Sequence, residues 1–108
     1  MTPSANIAIL NMTRAHSDAV SQDGILVNTI CPGLTNTQRA RDLQQSRAES
    51  EGRDVEEILG EIGSELPAGR LAEPEEIASV VAFLASKSCS YMFGSCIYMD
   101  GGARRSTP

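Results

Sequence analysis

Apolar residues near the N-terminus recur at short intervals among good helix formers. They occupy Ile7, Leu10, Met12 and Ala15. Recurrent apolar positions of this kind favour an amphipathic helix. Pro3 suits the first turn, where no backbone N–H is needed. The pattern predicts a helix over residues 4–21.

A continuous apolar run follows this helix. Asp23-Gly24 predicts the stop, because glycine adopts the left-handed conformation that commonly ends helices. Residues 25–31 are apolar and rich in β-branched side chains, which predicts a strand buried on both faces. Pro32-Gly33 then ends the strand, since proline donates no ladder hydrogen bond and glycine permits a sharp turn or the close approach of a ligand.

The middle of the chain, residues 34–66, is polar and charged. Apolar residues are sparse in its first half. In its second half Val55, Ile58, Leu59 and Ile62 fall on one side of a helix. Glycines at positions 52, 60 and 63 weaken a continuous helix. We therefore predict two short amphipathic helices of the kind that form a lid. A solvated helical connection is an equally open alternative.

The last third of the sequence predicts one helix and one strand. Pro74 and the carboxylates after it suit a first helical turn, where the helix dipole is positive. Residues 74–86 are apolar nearly all round, so this helix needs cover on two sides. After a break at Gly94, residues 95–99 predict a second strand. Helices alternating with apolar strands indicate an α/β fold with a parallel sheet.

Length and charge narrow the classes of function. A chain of 108 residues suits one domain or part of one. Its formal charge of -5, without a basic run, argues against a nucleic-acid partner. No stretch approaches the roughly 20 apolar residues that span a bilayer, so we predict no membrane partner and a cytoplasmic location.

Cysteine and histidine indicate no reactive centre. Cys31, Cys89 and Cys96 form no close pair in sequence, and with one histidine they make no convincing zinc set. We predict no metal site and interpret the cysteines as structural thiols. His16 has no neighbouring nucleophile in sequence, which favours a satisfied or solvent-facing imidazole over a catalytic base.

Three segments, in this order and at this spacing, resemble the short-chain dehydrogenase/reductase (SDR) family of Rossmann-type oxidoreductases. Residues 25–33 resemble the sixth strand and its Pro-Gly turn, residues 67–78 the segment before the last long helix, and residues 94–102 the closing strand with Asp-Gly-Gly. The resemblance implies that residues 1–108 are a single partial domain. This domain would be the C-terminal part of a doubly wound parallel sheet, incomplete on its own.

The resemblance also implies a cofactor, NAD or NADP, and a place for it. In family members the turn after the sixth strand holds the nicotinamide carboxamide through backbone groups and a threonine hydroxyl. The corresponding positions here are Pro32, Gly33, Thr35 and Thr37. The alternative is a turn in which Thr37 only caps the following helix.

The family's catalytic residues have no counterpart in this sequence. Its Tyr-x-x-x-Lys motif aligns with Thr2 and Asn6. A threonine hydroxyl is too weak an acid to replace the tyrosine, and asparagine brings no charge. The glycine-rich turn that meets a pyrophosphate is also missing. We therefore assign no catalytic residue and leave open whether a longer parent is active or catalysis was lost.

Two functions follow as hypotheses. In the first, the full-length parent is an NAD(P)-dependent oxidoreductase acting on a small carbonyl or hydroxyl substrate, and this chain is not catalytic alone. In the second, the chain is a non-catalytic module for oligomerisation or interaction. The resemblance implies a homo-oligomer that pairs through helix 74–86 and strand 95–99, which form subunit interfaces in the family.

Overall fold

A computed structural model describes the chain from residue 3 to residue 105. Within that range the chain forms four α-helices and two strands. In chain order these are α1 (Pro3–Val20), β1 (Thr29–Pro32), α2 (Gln38–Glu51), α3 (Val55–Ser64), α4 (Pro74–Leu84) and β2 (Cys96–Met99).

Helix α1 lies where the sequence predicts a helix over residues 4–21. It runs from Pro3 to Val20 and continues as a 3-10 turn at Ser21–Asp23. Gly24 follows with a φ of 75°, a left-handed conformation that costs glycine nothing sterically. The chain leaves the helix at this glycine.

Strand β1 is shorter than the strand predicted over residues 25–31. Pairing is confined to Thr29–Pro32. Just before it, the side chain of Asn28 donates to the carbonyl of Met92 and accepts from the N–H of Ser95, both at 2.9 Å. The asparagine side chain thus bonds to the neighbouring segment where the predicted strand would have used its own backbone.

The two strands are neighbours in a parallel sheet. The N–H of Thr29 donates to the carbonyl of Ser95, and the N–H of Gly33 donates to that of Met99, both at 2.9 Å. Residue numbers rise together along both strands, which defines parallel pairing. The predicted α/β fold with a parallel sheet is confirmed. β2 is one residue shorter than the strand predicted over residues 95–99.

Helices α2 and α3 occupy the segment predicted as a lid, residues 34–66. Gly52 separates them in a left-handed conformation with a φ of 62°, and its N–H donates to the carbonyl of Ala48. α3 buries Ile58 and Leu59 of the predicted apolar stripe. Gly63 lies inside α3, where a Cβ would approach the backbone of Arg70 to 3.1 Å. The glycine therefore permits close packing within the helix.

Arg53, in the turn between α2 and α3, is surrounded by carboxylates. Its guanidinium lies 2.6 Å from Glu61, 3.1 Å from Glu51 and 3.4 Å from Glu57. The hydrogen bond from Arg53 lowers the pKa of the Glu61 carboxyl below its usual range. These ion pairs join the end of α2 to the outer face of α3.

The Glu76 carboxylate and the Arg70 guanidinium form an ion pair at the start of α4. The side chain of Glu76 accepts from the N–H of Glu73 at 2.8 Å and from both terminal nitrogens of Arg70, at 2.7 and 2.8 Å. The Arg70 guanidinium, aided by the Glu73 N–H, lowers the pKa of Glu76 to about 2. The carboxylate thereby satisfies a backbone donor that a helix start leaves unpaired.

Helix α4 ends at Leu84, two residues before the end of the helix predicted over 74–86. No residue of α4 is buried. Val81 is 50% and Phe83 46% exposed, although the sequence pattern predicts cover on two sides. The side of α4 that carries Val81 and Phe83 is therefore open to solvent, while Ile77, Val80 and Leu84 are half-buried.

The described residues fall into two compact units. The first contains residues 3–31 together with Ala82–Tyr98, and the second contains Pro32–Val81 together with residues 99–105. The buried apolar side chains of the described residues are Ala48, Ile58, Leu59 and Cys89. Over residues 3–105, no helix has the length and apolar character needed to cross a membrane.

Candidate functional site

The candidate site is built on the segment that follows β1. Its backbone is held by a short parallel pairing in which the Asn36 N–H donates to the Ala72 carbonyl at 2.8 Å and the Ala72 N–H donates to the Leu34 carbonyl at 3.0 Å. Thr35, between them, forms an isolated bridge with Ala72. The segment is therefore fixed on one side although it lies outside the main sheet.

Gly33 is held tightly at the beginning of this segment. Its N–H donates to the carbonyl of Met99. A Cβ at this position would lie 2.7 Å from the Cα of Asp100. Asp100 is held in turn, because its carboxylate accepts from the N–H groups of Gly102 and Arg104, both at 3.1 Å. A residue with a side chain cannot occupy position 33 without moving backbone.

The two candidate threonines differ in their hydrogen bonds. The Thr35 hydroxyl donates to the Gly33 carbonyl at 3.1 Å. The Thr37 hydroxyl oxygen accepts from the Ala40 N–H at 3.2 Å and caps α2. The capping role that the sequence left as an alternative for Thr37 is therefore present. It leaves the Thr37 hydroxyl hydrogen available, while the Thr35 oxygen remains available to accept.

A groove of about 390 Å³ opens beside these residues. All four residues that the sequence singled out, Pro32, Gly33, Thr35 and Thr37, line it. The rest of its wall is mainly apolar and comes from the segment itself and from α2, α3 and the chain before α4. These further residues are Leu34, Arg39, Ala40, Leu43, Gln44, Leu59, Ile62 and Leu71.

Polar side-chain contacts connect the segment after β1 to neighbouring helices. The Asn36 side-chain amide donates to the Glu73 carboxylate at 3.1 Å, and its oxygen accepts from Arg41 at 2.9 Å. Arg41 also binds Glu56 at 2.5 Å. These contacts join the segment to α2, α3 and the start of α4. The Asn36–Glu73 and Arg41–Glu56 contacts join residues 37 and 15 apart in the chain, so no local sequence pattern predicts them.

The residues aligned with the family's catalytic pair are not brought into a site. Thr2 lies outside the described residues, and Asn6 is exposed on α1. His16 is exposed on the same helix. Among residues 3–105, no group of three histidine, cysteine, aspartate or glutamate side chains could hold a metal ion.

The structure brings together two of the three cysteines. The Sγ atoms of Cys31, on β1, and Cys96, on β2, lie 3.1 Å apart. Cys89 is buried and lies in neither strand. The sequence offered no signal for the pair, because its members are 65 residues apart.

Comparison with known proteins identifies related chains. The profile of the enoyl-(acyl carrier protein) reductase family matches residues 3–104. Oxidoreductase UcpA of Escherichia coli (strain K12) is 38% identical over 96 residues, which are 89% of this chain and 35% of that protein.

Solved structures agree with this match. A short chain dehydrogenase family protein from Francisella tularensis superposes with a TM-score of 0.81 at 38% identity, covering 88% of this chain and 39% of that one. L-sorbose reductase from Gluconobacter frateurii, complexed with NADPH and L-sorbose, gives a TM-score of 0.88 at 30% identity, covering 94% and 39%. The chain thus spans little more than a third of the length of the relatives it matches.

Proposed function

Because the chain belongs to the short-chain dehydrogenase/reductase family, we propose that it is the C-terminal, nicotinamide-facing part of an NAD(P)-dependent oxidoreductase. The parent enzyme interconverts carbonyl and hydroxyl groups on a small molecule. Support for the cofactor comes from the L-sorbose reductase complex with NADPH, to which this chain is similar. The substrate of this chain's parent is a small carbonyl compound.

One observation carries the proposal: Thr35 and Thr37 line the same groove with complementary hydrogen-bonding capacity. A carboxamide presents one acceptor oxygen and one donor nitrogen. The free hydroxyl hydrogen of Thr37 suits the carboxamide oxygen, and the Thr35 oxygen, whose hydrogen is engaged by Gly33, suits the carboxamide nitrogen. The residues present therefore fit the edge of a nicotinamide ring.

The chain supplies binding rather than proton transfer. A bound NAD(P) would supply or accept the hydride, and Thr35 and Thr37 would hold the carboxamide of its nicotinamide ring. Thr2 and Asn6 align with the family's tyrosine and lysine, so the pair that exchanges a proton with the substrate oxygen in family members has no counterpart at these positions. We therefore expect no NADPH oxidation by this chain alone.

Cofactor binding to the purified chain tests the proposal. Titration with NADPH up to millimolar concentration should shift the amide NMR signals of Thr35 and Thr37 and enhance the cofactor fluorescence. If millimolar NADPH and NADH leave both signals unchanged, this chain does not hold the cofactor by itself.

Two variants at position 37 separate ligand binding from helix capping. Thr37→Asp keeps an acceptor for the Ala40 N–H, because aspartate is a good N-cap. It removes the hydroxyl donor. Because one hydrogen bond is lost, the Kd for NADPH should rise by roughly 2- to 12-fold. Thr37→Ser keeps both functions and serves as the control. Equal Kd values for the two variants would contradict the role assigned to Thr37.

A second candidate function, a homo-oligomerisation module, is favoured by the exposed apolar surface of α4. Val81 and Phe83 are half-exposed, and within residues 3–105 β2 pairs with no strand other than β1. Both features suit pairing with a second copy through helix 74–86 and strand 95–99. Sedimentation at micromolar concentration decides this candidate, since a folded monomer would exclude it.

A further inference from the structure

We propose that Cys31 and Cys96 form an oxidation-sensitive dithiol, which a peroxide converts into a disulfide across the two strands. The carrying observation is the distance of 3.1 Å between their Sγ atoms. A disulfide requires about 2.05 Å, so the sulfurs need to approach by only about 1 Å. Both side chains are half-buried rather than sealed in the core, so a small oxidant reaches them.

The sheet register explains why these side chains meet. The Thr29 N–H donates to Ser95 and the Gly33 N–H donates to Met99, which places Cys96 opposite Thr29 and Cys31 opposite Tyr98. Because side chains alternate between the faces of a strand, both cysteines project from the same face. They are diagonal neighbours, two residues out of register.

The diagonal placement determines what bond formation requires. Diagonal neighbours are farther apart at the backbone than directly opposite residues, so the bond draws the two strands together locally. The sulfur atoms already lie 3.1 Å apart, so the remaining approach is small. The oxidised and reduced forms should therefore differ in the amide signals of β1 and β2.

The reaction balances with a peroxide as the oxidant. One cysteine thiolate attacks the peroxide, breaks its O–O bond and becomes a sulfenic acid, releasing an alcohol or water. The second thiol then attacks the sulfenic sulfur, the S–S bond forms, and water leaves with the hydroxyl oxygen. The two thiols lose two electrons and two protons in all. Proximity favours this closure over further oxidation, because the second thiol is already in contact.

Cys89 provides an internal control. It is a buried free cysteine that lies outside both strands. Digestion that cleaves at Tyr91 or Phe93 places Cys89 and Cys96 on separate peptides. A mapped link can therefore be assigned to one cysteine or the other.

The experiment treats the folded chain, at dilute micromolar concentration, with about one equivalent of hydrogen peroxide. Intact mass should fall by about 2 Da, the mass of two hydrogens, and only Cys89 should remain open to alkylation. Peptide mapping should show a Cys31–Cys96 link that dithiothreitol reverses. Cys31→Ser and Cys96→Ser should abolish the loss of mass, and Cys89→Ser should retain it.

Three results would overturn the proposal. They are oxygen addition of about 16 Da without an internal link, a link that involves Cys89, and a link found only between chains. Mapping of the wild-type chain decides the matter even if a serine variant does not fold, because it needs no substitution.

Discussion

Gly33 shows how a single residue limits the geometry of the candidate site. Its lack of a side chain lets Asp100 approach, and Asp100 is itself held by the N–H groups of Gly102 and Arg104. The clash that a Cβ would cause is with backbone atoms, which cannot move aside as the end of a flexible side chain can. The sequence predicts a turn at Pro32-Gly33, and the structure shows that Gly33 also packs against Asp100.

Substitution of Gly33 tests this contact. Gly33→Ala places a Cβ 2.7 Å from the Cα of Asp100, and overpacking of this kind should lower the free energy of unfolding by about 1–3 kcal/mol. Gly60→Ala is the matched control, since no atom lies within 4 Å of its Cβ position and alanine favours a helix interior by up to about 1 kcal/mol. Urea denaturation followed by circular dichroism measures both. Equal unfolding midpoints would show that Asp100 moves aside at no cost.

At the level of elements, the start of α4 depends on an ionised carboxylate. Glu76 joins the Glu73 N–H and the Arg70 guanidinium, and its pKa falls from 4.5 to about 2. A carboxyl whose pKa is lowered by folding stabilises the folded state above its unfolded pKa. That contribution is lost as the pH falls from about 4.5 towards 2.

An acid titration tests this dependence. In the wild-type chain the Glu73 amide signal should shift with a midpoint near pH 2, as Glu76 becomes protonated. Glu76→Gln keeps an acceptor for that N–H but cannot titrate, so the shift should disappear. Glu75→Gln removes a charge from the same turn, leaves the Arg70 contact in place and should retain the shift. A midpoint near 4.5 in the wild type would contradict the role of Arg70.

Across the whole molecule, the buried apolar set is small for the number of elements. Among the described residues, the buried apolar side chains are Ala48, Ile58, Leu59 and Cys89. Exposed large apolar residues are more numerous and include Val81 and Phe83 on α4. Because stability depends mainly on buried apolar area, we expect the chain to be marginally stable as a monomer.

Concentration dependence measures how much association contributes to stability. If copies pair through α4 and β2, the thermal midpoint should rise with protein concentration, because only the folded form associates. Phe83→Asp should remove this dependence by placing a charge in the apolar surface. Lys87→Asp is the control. It places an aspartate at an exposed position just after α4, outside the apolar surface, and should keep the concentration dependence. A midpoint independent of concentration would leave the oxidoreductase role as the remaining proposal.

The sequence predicted the structure best where a glycine or proline fixes the local backbone conformation. The stop at Gly24, the separation of α2 from α3 at Gly52 and the proline-led start of α4 follow from residues that favour these conformations on their own. Element ends were predicted less well. Strand β1 starts late because Asn28 bonds across the chain, and that depends on a partner 64 residues away.

The sequence by itself determined the family and the α/β order of elements, because local conformation and motif spacing depend on residues close together in the chain. It also predicted Pro32, Gly33, Thr35 and Thr37 as cofactor-binding residues, which stays a prediction. Tertiary structure alone decided that these four line one groove, that Asn36 and Arg41 support it, and that Cys31 meets Cys96. The groove is closed by residues of α3, and Cys31 and Cys96 are 65 residues apart, so these contacts depend on residues far apart in the chain. These contacts depend on strand register and helix packing, which a local sequence pattern does not specify.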